Sequence, residues 1–160
     1  MVNKWDEVGK ITPTMFMLIG EYTHTLDAKN RLSLPAKFRK ELGKKVVVTY
    51  GLDRCLFVYP VRDWERVSQK LSELSVGKSD TRGFSRFILA GAVEVDVDSI
   101  GRILIPDFLK EYSNLSGKVV FAGVYNRVEI WNDTAWSDYK GRIEKQADTL
   151  AEKLGDVGVL

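Results

Sequence analysis

Cysteine and histidine are nearly missing from this chain: Cys55 and His24 are the single examples of each. One cysteine cannot close an internal disulfide, and together with one histidine it falls short of a four-ligand zinc site. A Ser-His-Asp arrangement would hang on His24 alone. Long apolar runs are missing too. The best early one, residues 15–19, is five residues long, against the roughly 20 that a membrane-spanning helix needs. A leader peptide also needs a longer apolar stretch behind its basic end. The expectation is no membrane partner, no metal and no other cofactor. Charge of one sign is scarce as well. The 160 residues hold 24 basic and 22 acidic side chains, a net charge of +2, so distribution must decide whether nucleic acid is a partner. Apolar residues at 44% and charged residues at 29% are ordinary for a soluble globular chain and exclude disorder, collagen and coiled coil. The cysteine usage fits a reducing cytoplasm.

What the chain does have is an internal repeat. Asp27-Ala28-Lys29-Asn30-Arg31-Leu32-Ser33-Leu34-Pro35 aligns without a gap with Asp98-Ser99-Ile100-Gly101-Arg102-Ile103-Leu104-Ile105-Pro106. Lys45-Val46-Val47 then matches Lys118-Val119-Val120, Asp53-Arg54 matches Asn126-Arg127, and Trp64 matches Trp136. The offset runs 71, 73, 72, which small loop insertions explain. Chance does not produce a colinear series of this length. Three segments follow: a loosely ordered polar extension over residues 1–14, a first repeat over 15–79 and a second over 80–155.

Each copy reads alike. A strand (residues 20–26 and 93–97) enters an Asp-x-x-[Asn/Gly]-Arg turn, and a second strand leaves it with Leu32 and Leu34, or Ile103 and Ile105, on one side. Asp27 and Asp98 are placed to accept backbone N–H bonds, while Asn30 and Gly101 suit positive φ. These four orient the turns. Pro35 and Pro106 open short helices, the first stopped by Gly43 and the second less sharply near Ser113 and Asn114. Strands follow at residues 46–49 and 119–122, then 55–59 and 128–131. A helix closes each copy. Trp64, Val67, Leu71 and Leu74 make one apolar stripe; Trp136, Tyr139, Ile143, Ala147, Leu150 and Leu154 make the other, after Asn132 or Asp133 as cap. Such stripes are core. Residues 75–80 link the copies, and residues 81–90 form a further helix.

These residues resemble a known family. The run from Gly20-Glu21-Tyr22-Thr23-His24-Thr25-Leu26 into Asp27-Ala28-Lys29-Asn30-Arg31, with the second Asp98-Ser99-Ile100-Gly101-Arg102 turn, is similar to MraZ, the bacterial transcriptional regulators at the head of the division and cell-wall gene cluster. Two Asp-x-x-x-Arg turns in one polypeptide are its mark, and the resemblance covers about residues 15–144. It implies an α+β chain: a tandem, pseudo-symmetric AbrB-like swapped-hairpin β-barrel with peripheral helices. It further implies a homo-oligomer, a ring, that binds short direct repeats of double-stranded DNA in the promoter of that cluster, in the cytoplasm and associated with the nucleoid. It implies no enzymatic activity. The family pattern has Gly before the Arg; Asn30 departs from it, but Asn tolerates left-handed backbone, so the turn should survive.

The charge distribution makes a separate case for DNA. Residues 20–45 hold seven basic side chains against three acidic ones, while residues 91–118 hold three against five. A phosphate should therefore meet the first copy. Arg31 follows a tight turn, so a stiff hairpin would present its guanidinium to guanine or phosphate. Lys29 at the turn tip is the second candidate, Arg39 and Lys40 are phosphate holders on charge alone, and Arg102 is the counterpart of Arg31. The competing role is an internal ion pair, Arg31 with Asp27 and Arg102 with Asp98. Several protomers in a ring, each meeting a repeat about one helical turn from the next, would raise the effective concentration of a weak single contact.

Other classes fit less well. An enzyme would recruit His24, Asp27 and Asp98, yet no nucleophile elbow, phosphate-binding loop or zinc spacing occurs. Cys55, inside an apolar strand, reads as a small buried hydrophobe. An antitoxin-like DNA-binding module of the same barrel class would carry one hairpin copy and a long disordered tail. A structural ring without DNA binding is disfavoured by the charge asymmetry.

Overall fold

A computed structural model describes residues 17–158 of the chain. The expected extension over residues 1–14 lies outside the described residues. The first copy supplies β1 (Leu18–Thr25), β2 (Arg31–Ser33), α1 (Ala36–Leu42), β3 (Lys45–Tyr50), β4 (Leu56–Pro60) and α2 (Val61–Ser72). After α3 (Ser79–Ala90), the second supplies β5 (Val93–Asp96), β6 (Arg102–Leu104), α4 (Asp107–Ser113), β7 (Lys118–Tyr125), β8 (Val128–Asn132) and α5 (Asp133–Gly155). The α+β class and the doubled order of elements agree with the sequence reading.

The strands form one antiparallel sheet in the order β1-β7-β8-β4-β3-β5 and a separate ribbon, β2-β6. Each copy lends its first strand to the other: β1 pairs with β7, and β5 pairs with β3. The ribbon joins the copies as well, with Arg31 opposite Leu104, Leu32 opposite Ile103 and Ser33 opposite Arg102. Leu32 and Ile103 are equivalent positions of the repeat, so their pairing marks a pseudo-twofold axis. The expected barrel does not close. Among the described residues no ladder joins β1 to β5, because β2 and β6 leave the sheet to pair with each other.

Apolar side chains on both faces explain why the central strands read as unbroken apolar runs. On one face Val46, Val48, Leu56, Val58, Val119, Phe121, Val128 and Ile130 pack with Leu32, Leu34, Phe38, Ile103, Ile105 and Leu109 from the ribbon and the short helices. On the other, Cys55, Phe57, Tyr59, Val120, Ala122 and Trp131 meet Trp64 and Val67 of α2 and Trp136 and Tyr139 of α5. The helix ends follow local chemistry. Pro35 and Pro106 each stand just before their helix, Gly43 ends α1 at φ 80°, and Asn114 ends α4 in left-handed backbone. Of the two candidate caps for α5, Asn132 acts: its Oδ1 accepts from Ala135 N at 3.0 Å.

Candidate nucleic-acid interface

The two Asp-x-x-x-Arg turns are built alike. Asp27 Oδ1 accepts from Lys29 N and Arg31 N, both at 2.8 Å, and Asp27 N donates to Arg31 O at 3.0 Å. Asp98 Oδ1 accepts from Ile100 N at 3.1 Å and Arg102 N at 2.8 Å, and Asp98 N donates to Arg102 O at 2.9 Å. The fourth positions take the positive φ expected of them, 61° at Asn30 and 85° at Gly101. Both carboxyls are held below the ordinary aspartate range, first by the N–H of the Arg that follows each of them. Each turn also extends the ribbon: Ile105 N donates to Asn30 O at 2.8 Å and Leu34 N to Gly101 O at 2.9 Å.

Each turn is clamped by the helix of the other copy. Lys110 of α4 donates its Nζ to Asn30 Oδ1 at 2.8 Å, while Asn30 Nδ2 donates to Asp107 Oδ1 at 2.9 Å. Arg39 of α1, the repeat equivalent of Lys110, lies over Gly101 and donates its Nε to Leu34 O at 2.9 Å. A Cβ on Gly101 would stand 2.8 Å from Arg39 Nη1 and closer still to Cζ and Nε. The two departures between copies therefore belong together. Lys110 leaves room for an amide that it then binds, and Arg39 needs the bare backbone of glycine. Sequence reasoning counts Asp107 and Lys110 only as charges. The register that equates Lys110 with Arg39 is the signal that connects them to Asn30.

The ribbon buries Leu32 and Ile103 and turns Arg31, Ser33, Arg102 and Leu104 outward. The two arginines differ there. Arg102 Nε is bound to Asp98 Oδ2 at 2.8 Å, and its side chain is 30% exposed. Arg31 makes no ion pair among the described residues, although its backbone is fixed by Asp27. The internal pair weighed for both turns exists in one. A shallow hollow of about 240 Å³ beside them is lined by Arg31, Asp96, Asp98, Arg102, Ile103 and Leu104.

The remaining candidates scatter. Lys29 is exposed at the tip of its turn and Lys40 is exposed on α1. Arg39 is half-buried as the clamp just described. The antiparallel pairing of β2 with β6 explains the dispersal: α1, which follows β2, lies at the second turn, where Arg39 covers Gly101, and α4, which follows β6, lies at the first, where Asp107 and Lys110 hold Asn30. Charge contiguous in sequence is thus divided between the two ends of the ribbon. His24 packs edge-on against Phe121 at 5.5 Å, and burial, then the charge of Arg39, lowers its pKa. Burial pushes the Cys55 thiol far up. Among the described residues no cluster of His, Cys, Asp or Glu could hold a metal, and no helix is long and apolar enough to cross a membrane.

A family model described as "MraZ protein, putative antitoxin-like" matches the chain twice, over residues 17–87 and 88–156. The chain is 48% identical over 143 residues to a "Transcriptional regulator MraZ" of Thermoanaerobacter sp. (strain X514), covering 89% of this chain and all of the relative. It is also 48% identical over 143 residues to the protein of that name from Moorella thermoacetica, with the same coverage. With the one from Carboxydothermus hydrogenoformans it shares 45% identity over 140 residues, 88% of this chain and 98% of that one.

Proposed function

The chain belongs to the MraZ family, and from that premise we propose that it is a sequence-specific DNA-binding regulator of transcription. Its two units, residues 15–79 and 80–155, are read as interleaved hairpins of the AbrB-like swapped type, which the exchange of β1 and β5 supports. The outward face of the ribbon is the reading surface. Arg31 is the principal contact, since its guanidinium is unpaired among the described residues and offers bidentate geometry to guanine O6 and N7. Lys29 and Lys40 supply phosphate contacts. Arg39 acts through the turn it clamps, and Arg102, held by Asp98, contributes less. Protomers assemble into a ring, so that neighbouring ribbons meet direct repeats in the promoter of the division and cell-wall cluster, in the cytoplasm at the nucleoid. The reading is not enzymatic.

The observation that carries this reading is the difference between the two arginines. Footprinting on the DNA upstream of the gene, with light scattering for assembly size, tests it. Arg31→Ala is expected to weaken binding by about 10-fold or more, and Arg102→Ala by much less, with folding and assembly unchanged. Affinity should also fall steeply with salt as counterions are released. Equal losses from both variants would refute the choice of Arg31, and a flat salt response would refute phosphate contact.

A further inference from the structure

Leu104 stands exposed on the reading surface, at the Arg31 end of the ribbon. It is the ribbon residue directly opposite Arg31, and it is 55% exposed where the equivalent Ser33 of the first copy is polar. Ile100, at the tip of the second turn where the first copy has Lys29, is 59% exposed. A leucine turned to water beside a guanidinium contributes nothing to the core, which takes Leu32 and Ile103 from the opposite side of the same strands. Residues directly opposite in an antiparallel pair have Cβ atoms about 5 Å apart, so a ligand touched by one meets the other. In the major groove, adjacent base pairs rise about 3.4 Å, and the one apolar group offered there is the C5-methyl of thymine.

We infer that Leu104 is a specificity residue that packs on the C5-methyl group of a thymine one or two base pairs from the guanine held by Arg31. This rests on the DNA-binding reading above and deepens it. The surface would then read a guanine and a 5-methylpyrimidine as a unit. Arg31 supplies the hydrogen bonds and Leu104 the apolar contact that uracil, lacking the methyl, cannot return. The alternative occupant of such a leucine is protein, a second copy of the chain. The carboxylates that line the same hollow, Asp96 and Asp98, do not exclude DNA, since aspartate accepts from cytosine N4 in that groove.

The test uses the full chain and duplexes selected by it from a randomised library. The selected duplexes are remade with deoxyuridine in place of thymidine, which removes the methyl groups and keeps the pairing. The wild-type chain is expected to bind the deoxyuridine duplexes about three- to fivefold more weakly for each methyl contacted. Leu104→Ala should bind both kinds equally, and Arg31→Ala should lose both. Equal binding of the two duplexes by the wild-type chain would overturn the inference while leaving the DNA-binding reading standing. So would discrimination that persists in Leu104→Ala, or a Leu104→Ala variant whose only change is in assembly size by light scattering. Failure of the library to enrich any duplex would overturn both.

Discussion

Gly101 offers a quantitative test of the clamp that joins the copies. Gly101→Ala keeps the turn sequence otherwise intact but places an L-residue at φ 85°. Left-handed backbone costs such a residue about 1–2 kcal/mol. The new methyl also occupies the space of the Arg39 guanidinium, which must swing away and give up its bond to Leu34 O, a further loss of about 1 kcal/mol. The total is about 2–3 kcal/mol, or roughly 5–10 °C in Tm for a chain of this size. Denaturant unfolding at one fixed protein concentration measures it. The clamp geometry predicts more than the total. With Arg39→Ala already in place the methyl has nothing to displace, so Gly101→Ala should then cost only the backbone strain. A double-mutant cycle should return a coupling of about 1 kcal/mol. A cost below about 0.5 kcal/mol for Gly101→Ala, or the same cost in both backgrounds, would refute the clamp.

Three further outcomes follow from the same geometry. Leu32→Ala empties a fully buried site on the pseudo-twofold axis and should cost about 2–5 kcal/mol in unfolding experiments; a loss under 1 kcal/mol would show that the ribbon does not anchor the core. The carboxyls of Asp27 and Asp98 sit below their unfolded value of 3.8, so their contribution is complete above that pH and lost as pH falls through the depressed folded values. The amide protons of Arg31 and Arg102 should therefore titrate by NMR with midpoints below 3.8, and midpoints at or above it would contradict the turn hydrogen bonds. Cys55, buried with its thiol raised, should react with thiol reagents only when the protein unfolds; rapid labelling of the native protein at neutral pH would place it wrongly.

The repeat was the most legible feature, because it is written in residues whose conformational demands are strict: Asp to accept N–H groups, Asn or Gly at positive φ, Pro before a helix. The helical stripes of Trp64 and Trp136 were legible from spacing, but only their first turns are core. Trp64, Val67, Trp136 and Tyr139 pack on the sheet, whereas Leu74, beyond the end of α2, and Ala147 and Leu154 of α5 are exposed, because each helix runs on past the sheet it covers. Which strand pairs with which was not, since β1 could satisfy its backbone against β3 as well as β7, and only three-dimensional packing distinguishes them. Counting charge along the sequence also leaves out the ribbon, which puts Arg31 at one end of β2 and the helix α1 beyond the other. The roles of Lys110 and Leu104 were hidden for related reasons. One is defined by a turn about eighty residues away, and the other by the partner strand it faces.

Strand exchange also sets a schedule for the chain as it is made. In β1, Leu18 finds its ladder partner at Tyr125, more than a hundred residues later. At about 5–20 residues per second, roughly 5–20 seconds of translation separate the two. The emerging first half therefore waits with one strand unpaired and half a hydrophobic layer uncovered, and it acquires its native neighbours only when the second half leaves the ribosome. A messenger truncated between the copies would release a fragment whose β1 and β3 lack their partners β7 and β5, leaving open strand edges of the kind that template association.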